Sequence, residues 1–173
     1  MKKNKLGDSD LMLSEIGLGT WAIGGGDWGM GWGRQDENDS IASILEALDQ
    51  GINWIDTAHA YGFGVAETAV GKALKEFKDD EVIVATKCGV LPEEDNKPIR
   101  FISRKTILEE VDGSLRRLGR DYIDLYQIHW PVPAENLVES WETLQELKKI
   151  GKIRWAGVCN CWERELEELQ KIA

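Results

Sequence analysis

The chain has 173 residues, 42% of them apolar and 30% charged, and 31 Asp+Glu against 21 Lys+Arg give a formal net charge of −10. That apolar share supplies one core and excludes a wholly disordered chain, while the negative balance argues against nucleic acid or an anionic membrane as the main partner. No apolar run approaches the ~18–20 residues that span a bilayer, and three cysteines, an odd count, speak for a reduced, cytoplasmic setting rather than a disulfide framework.

The basic start Met1-Lys2-Lys3-Asn4-Lys5 runs straight into Gly7-Asp8-Ser9-Asp10, where a secretory signal would need an apolar stretch. Residues 5–13 read as a short hairpin plug, and residues 16–19 as a first strand. A glycine-rich loop, residues 24–33, comes next. Residues 36–50 read as a helix with Ile41, Ile44, Leu45 and Leu48 on one face and Gly51 as its stop. Residues 53–56 form a second strand, 66–75 a second helix, and the β-branched run 82–86 a third strand. Ser103 caps a third helix with Leu108, Val111, Leu115 and Leu118 inward. Ile123–Ile128 is a fourth strand. Residues 137–150 form a fourth helix with Trp141, Leu144 and Leu147 in the core. Ile153–Val158 is a fifth strand. Residues 162–173 form a fifth helix whose Leu166, Leu169 and Ile172 make one stripe, with Glu163, Glu165, Glu167 and Glu168 as its solvated face.

Five βα units in succession, with strands starting roughly 30 to 40 residues apart, predict one domain with a parallel sheet covered by helices. An open doubly wound sheet and a (β/α)₈ barrel both fit that alternation. Gly24-x-Gly26-x-x-Gly29 comes after a strand, as a dinucleotide fingerprint would. Asp27 would then lie where a pyrophosphate must sit, and no helix opens on the last glycine, so a flexible pocket loop is the better reading.

The informative pattern lies at the exit of each strand. The second ends in Asp56, the third in Lys87, the fourth in His129 and the fifth in Asn160. In a parallel α/β architecture these ends share one face, and that face holds the active site. Singly, Asp56 could cap a loop, Lys87 could be a solvated strand end, His129 a histidine bonded to backbone and Asn160 a turn residue. As a set in register they point to chemistry. Lys87, partly desolvated, needs an anion, which Asp56 can supply. The ammonium can in turn lower the pKa of Tyr61, five residues beyond Asp56, making it a general acid. His129 can hydrogen-bond a carbonyl oxygen. Asp56, Tyr61, Lys87 and His129 therefore read as a proton-delivery site for a developing alkoxide, with no metal cage.

Other constellations are weaker. Cys159-x-Cys161 with His129 lacks the second pair a zinc site would use. Cys88 reads as a small buried residue, and His59 as a pocket residue or a spectator. Trp21, Trp28, Trp32 and Trp130 suggest an aromatic-lined pocket.

At these residues the sequence resembles the aldo-keto reductase family, in its bacterial general-purpose or stress-type flavour. The matching words are Ile16-Gly17-Leu18-Gly19-Thr20-Trp21, Asp56-Thr57-Ala58-His59-Ala60-Tyr61-Gly62 with Glu67 and Gly71, and Ala85-Thr86-Lys87. They continue with Asp121-Tyr122-Ile123-Asp124-Leu125-Tyr126-Gln127-Ile128-His129-Trp130-Pro131 and Gly157-Val158-Cys159-Asn160. The resemblance implies a (β/α)₈ TIM barrel, here truncated to about its first five βα units, that reduces an aldehyde or ketone with NADPH. It implies Tyr61 as proton donor, Lys87 and Asp56 as the pair that tunes it, and His129 as the carbonyl-orienting residue. It implies Asn160 as a contact to the nicotinamide carboxamide, and Thr20, Trp21, Asp56 and Cys159 near the cofactor. Cys159 stands where the family usually has Ser, which weakens that second amide contact, and Cys161 replaces a usual aromatic residue.

Family members run to roughly 300 residues and eight units, in line with ~250 for a typical barrel. The ring that stacks on nicotinamide and the basic loop that grips the adenosine phosphate belong to strands six to eight, which this chain lacks. This leads to two expectations: self-association through open sheet edges, or membership of a longer protein, and weak NADPH binding by the chain alone. Two other functions stay open, a non-catalytic cofactor-sensing or regulatory module of the same barrel family and an unrelated barrel or doubly wound enzyme.

Overall fold

A computed structural model describes residues 1–77 and 81–172. The N-terminal strands β1 (Lys3–Lys5) and β2 (Met12–Ser14) pair antiparallel as a hairpin. The alternating part then begins: β3 (Leu18–Gly19), α1 (Glu37–Asp49), β4 (Trp54–Asp56), α2 (Val65–Phe77) and β5 (Ile83–Cys88). A second hairpin, β6 (Val90–Pro92) and β7 (Pro98–Arg100), precedes α3 (Arg104–Leu118), β8 (Ile123–Ile128), α4 (Leu137–Lys149), β9 (Ile153–Val158) and α5 (Glu163–Gln170).

Local chemistry sets the helix ends. Asp36 accepts the Asn38 and Asp39 amides at 2.8 and 3.1 Å to open α1. Ser103 and Thr106 form a reciprocal capping box at α3, which closes on Gly119 in the left-handed conformation. No helix of the described residues is long and apolar enough to cross a membrane.

The central sheet runs β3-β4-β5-β8-β9, all parallel, in the order in which its strands occur in the chain. A doubly wound sheet reverses its strand order at a switch point, and among these strands there is no reversal. The sheet is also curled. The N-terminal hairpin touches both of its sides, with the Ser14 amide donating to Asn53 at the start of β4 (2.7 Å) and Asp10 accepting from Arg154 and Trp155 of β9 (2.7 Å each). One small hairpin spans that gap only if the strands bend around it. The architecture is a partial α/β barrel with the hairpin plugging its N-terminal end, and the expected plug, shifted by one or two residues, is borne out.

The main core lies between sheet and helices, built on Ile44, Val70, Val84, Val111, Ile123, Tyr126 and Leu144. Four details depart from the sequence reading. The β6–β7 hairpin has no counterpart in it. The inward face of α3 is rotated by one residue, burying Ile107, Glu110, Val111, Ser114 and Leu118 while Leu108 and Leu115 are half-buried. The α5 stripe is largely open, with Leu169 buried but Leu166 and Ile172 exposed, and its expected end at residue 173 lies outside the described residues. Trp32 is 77% exposed and stands outside the cavity wall that Trp21, Trp28 and Trp130 share.

Candidate active site

The backbone ladder continues one residue past the strands. The Thr20 amide donates to the Asp56 carbonyl, Thr57 to Ala85, His129 to Cys88 and Cys159 to Ile128, all within 2.8–3.0 Å. This register places Asp56, Lys87, His129 and Asn160 together on the C-terminal rim of the sheet, as their positions at the strand ends predict.

Lys87 is the hub. Its side chain is 6% exposed. Its Nζ donates to Asp56 Oδ1 at 2.7 Å, to the Thr57 carbonyl at 2.9 Å and to the Tyr61 hydroxyl at 3.2 Å. An ammonium has three protons, and these three oxygens account for them. Tyr61 reaches this point because residues 57–64 turn tightly back into α2. Gly62 at φ +68° and Gly24 approach so closely that a side chain on either would meet the other's backbone or that of Tyr61. The glycine-rich loop thus packs against the Tyr61 turn, in keeping with a pocket loop and not a phosphate cradle.

The His129 ring meets the Tyr61 ring edge-on at 5.9 Å, and Trp21 stacks on Tyr61 at 6.3 Å. Neither ring nitrogen of His129 has a hydrogen-bond partner among the described residues. Burial, helped by the Lys87 and Arg100 charges, pushes its pKa down to about 4, so the imidazole is neutral over the physiological range and keeps one N–H to donate.

The electrostatics of Tyr61 differ from the sequence reading. Burial raises its pKa, Lys87 opposes through charge and hydrogen bond, and Asp56 pushes it up again, with a net rise above the ordinary phenol value. The expected lowering counts the neighbouring cation and leaves out desolvation.

Above these groups lies a cavity of about 510 Å³, lined by Trp21, Trp28, Met30, Tyr61, Arg100, His129, Trp130 and Asn160 among others, a volume suited to a small organic molecule. The residues expected near a cofactor divide. Asn160, in the left-handed conformation at φ +53°, spends its amide N–H on the His129 carbonyl (2.8 Å) and on Cys159 Sγ (3.2 Å), while its Oδ1 has no partner among the described residues and is free to accept. Trp21 is partly exposed at the cavity wall. Thr20 is fully buried and its hydroxyl donates to the Asp56 carbonyl at 3.1 Å, so it braces Asp56 and presents no hydroxyl to a ligand. An unclaimed amide oxygen beside an aromatic wall fits the carboxamide end of a nicotinamide.

Beneath the Tyr61 turn is a network the sequence reading does not assemble. Glu67 on α2, fully buried, accepts from the Thr86 hydroxyl (2.6 Å) and from Arg117 Nε (2.7 Å). The same guanidinium donates to His59 Nδ1 at 3.1 Å, which makes His59 a strut of the turn. A side chain on Gly64 would collide with Arg117, so glycine there leaves the slot through which the guanidinium reaches the turn. The available signal is Glu67 itself, since a carboxylate among alanines on an inward helix face requires a buried cation. Glu110, also buried, accepts the Gly89 amide through both oxygens at 3.0 and 3.1 Å, and burial raises its pKa to about 8.

Cys88 is buried as expected, its thiol pKa raised by burial. Burial and Glu165 raise Cys161 to about 11, so its thiol stays protonated at neutral pH. Among the described residues no three His, Cys, Asp or Glu side chains cluster as a metal site would require.

The profile of the Aldo/keto reductase family matches residues 15–173. The aldo-keto reductase YhdN of Bacillus subtilis is 48% identical over 174 aligned residues, covering all of this chain and 51% of that protein. The NADH-specific methylglyoxal reductase of Escherichia coli is 46% identical over 92% of this chain and 52% of its own length. Among solved structures, the glycerol dehydrogenase AKR11B4 from Gluconobacter oxydans superposes with a TM-score of 0.87 at 42% identity, over 99% of this chain and 52% of its own. The chain therefore spans about half the length of these relatives. With a profile match over nearly its whole length and relatives approaching one-half identical, the chain belongs to the aldo/keto reductase family.

Proposed function

We propose that this chain carries the proton-delivery half of a nicotinamide-dependent carbonyl reductase that converts a small aldehyde or ketone to the alcohol. One observation carries the reading: a buried lysine bonded at once to a carboxylate and a phenol hydroxyl at the mouth of an aromatic cavity. NADPH is the expected reductant. A relative is named NADH-specific, and the residues of this chain bear on the nicotinamide end, common to both.

When bound, the reduced cofactor supplies a hydride to the carbonyl carbon. The chain's residues do the rest. The neutral His129 ring donates an N–H to the substrate oxygen and orients the carbonyl. As that oxygen gains charge, Tyr61 gives it the hydroxyl proton. A raised phenol pKa does not obstruct this step, because an alkoxide is the base of an acid about as weak as water, far weaker than a phenol. Lys87 then faces a phenolate at hydrogen-bond distance and stabilises it, while Asp56 holds the ammonium in place. The two electrons of the hydride and one proton from Tyr61 complete the alcohol, and solvent restores the phenol.

Asn160 and Trp21 are proposed to hold and cover the nicotinamide, with Asp56 and Cys159 nearby. The test is Tyr61→Phe in the complete protein, which removes one oxygen. Carbonyl turnover falls about 10²–10⁴-fold with KM little changed. Unchanged turnover contradicts the assigned donor, and a wild type that reduces no carbonyl favours the cofactor-sensing alternative. Self-association through the open edges of β3 and β9 belongs to the same proposal, and a concentration-independent monomer in sedimentation of residues 1–173 contradicts it.

A further inference from the structure

We propose that Arg100 makes this pocket selective for carbonyl substrates that carry a carboxylate. The inference rests on the carbonyl-reductase reading and adds the substrate class. Arg100 ends β7, in the hairpin just after the Lys87 strand. Its guanidinium carbon sits 3.6 Å from the centre of the Trp130 ring, next in sequence to His129. In a chain with 31 acidic residues, this guanidinium has no hydrogen bond or ion pair among the described residues. The arginines at 104, 117, 120 and 154 each pair with a carboxylate.

Stacking uses the flat face of the cation and leaves its edge, with five N–H groups in one plane, for a ligand. The ring also holds the side chain in place, so little conformational freedom is lost when an anion binds. Arg100 lines the same cavity as Tyr61 and His129, and no carboxylate lines it with them. Apart from Asn160 the remaining wall is aromatic or apolar, and Arg100 itself is exposed at its rim, where a ligand carboxylate and salt both reach it. Arg100 also contributes to the depressed basicity of His129, so its field reaches the reacting end. A planar fork matches a planar carboxylate through two parallel hydrogen bonds. The favoured substrate is therefore a short oxo acid, with the carbonyl at Tyr61 and His129 and the carboxylate at Arg100, and the product is the corresponding hydroxy acid.

The experiment compares succinic semialdehyde with isocaproaldehyde, its neutral isostere, and glyceraldehyde phosphate with glyceraldehyde, as substrates of the complete protein and of Arg100→Gln. The wild type is expected to prefer the oxo acid over its isostere by about tenfold or more in kcat/KM, through KM. Arg100→Gln lowers kcat/KM for the oxo acid far more than for the neutral aldehyde and so abolishes the preference, and Arg100→Lys restores part of it without the fork geometry. Raising salt from about 0.05 to about 0.5 M erodes the preference in the wild type alone. Equal losses on both members of a pair, or no preference in the wild type, overturn the inference. A preference confined to the phosphate ester overturns the carboxylate assignment. If no carbonyl is reduced at all, the reductase reading fails separately. Calorimetric titration with succinic semialdehyde then decides the inference alone: binding weakened by Arg100→Gln supports it, and binding absent or unaltered overturns it.

Discussion

Strands β5 and β9 are each six residues long, lie parallel in the same sheet and point their C-terminal ends at the same rim. In β5 every residue is buried and the strand pairs on both sides, with β4 and β8. In β9 only Ile153 is buried, five residues are half-buried, and among the described residues the strand pairs with β8 alone. The side chains they position differ in the same way. Lys87 is held by three oxygens in a buried setting, whereas Asn160 is exposed and rests on a backbone carbonyl and a thiol. Proton chemistry needs fixed distances in a low-dielectric setting, and the doubly paired strand supplies both.

Substitutions sharpen this contrast, and the largest expected effect is the loss of turnover in Tyr61→Phe. Next is the buried support of the Tyr61 turn. Arg117→Met leaves the Glu67 carboxylate without its cation in a fully buried place, and should cost about 3 kcal/mol of unfolding free energy in urea titration. A cost near zero would mean that water or another cation reaches Glu67 and that Arg117 does not brace the turn.

Glu110 provides the pH test. Its carboxyl is raised from an ordinary value of 4.5 to about 8 by burial, so the native state binds a proton that the unfolded state has released. The stabilisation is present in full below the ordinary value and is lost as pH rises towards about 8. The urea midpoint should fall between about pH 5 and about pH 8, and Glu110→Gln should flatten that decline. An identical decline in the variant would assign it to other groups. The smallest effect belongs to the open edge: Asn160→Ala should raise cofactor KM about fivefold to tenfold, ~1 kcal/mol, with kcat little changed. A change as large as that of Tyr61→Phe would erase the distinction between middle and edge.

Much of this is legible in the sequence. Ile123–Ile128 and Ile153–Val158 are bounded correctly because each begins and ends on a β-branched residue between a helix stop and a polar exit, even though Asp124, Gln127 and Arg154 interrupt their apolar character. Polar residues at four successive exits place the rim, since parallel strands share a direction. The hidden features depend on distant partners. Arg117 lies in the last turn of α3, where a basic residue ordinarily answers the helix dipole, and its carboxylate lies 50 residues away. The α3 face reads one residue off because two of its inward positions, Glu110 and Ser114, are polar. The β6–β7 hairpin is two three-residue strands, each with a proline, too short for a period to register. Tyr61 is given the right neighbours and the wrong direction of shift, because charge can be counted along a chain and burial cannot.

The central claim is that the Lys87 ammonium acts on the Tyr61 hydroxyl across 3.2 Å. Titration of the Tyr61 ring carbon by NMR in ring-labelled protein, with and without Lys87→Met, measures that interaction without relying on turnover. The account predicts that Tyr61 titrates above the ordinary phenol value in the wild type and higher still when the cation is removed. A Tyr61 titration that does not move, or that falls, on loss of Lys87 would contradict it.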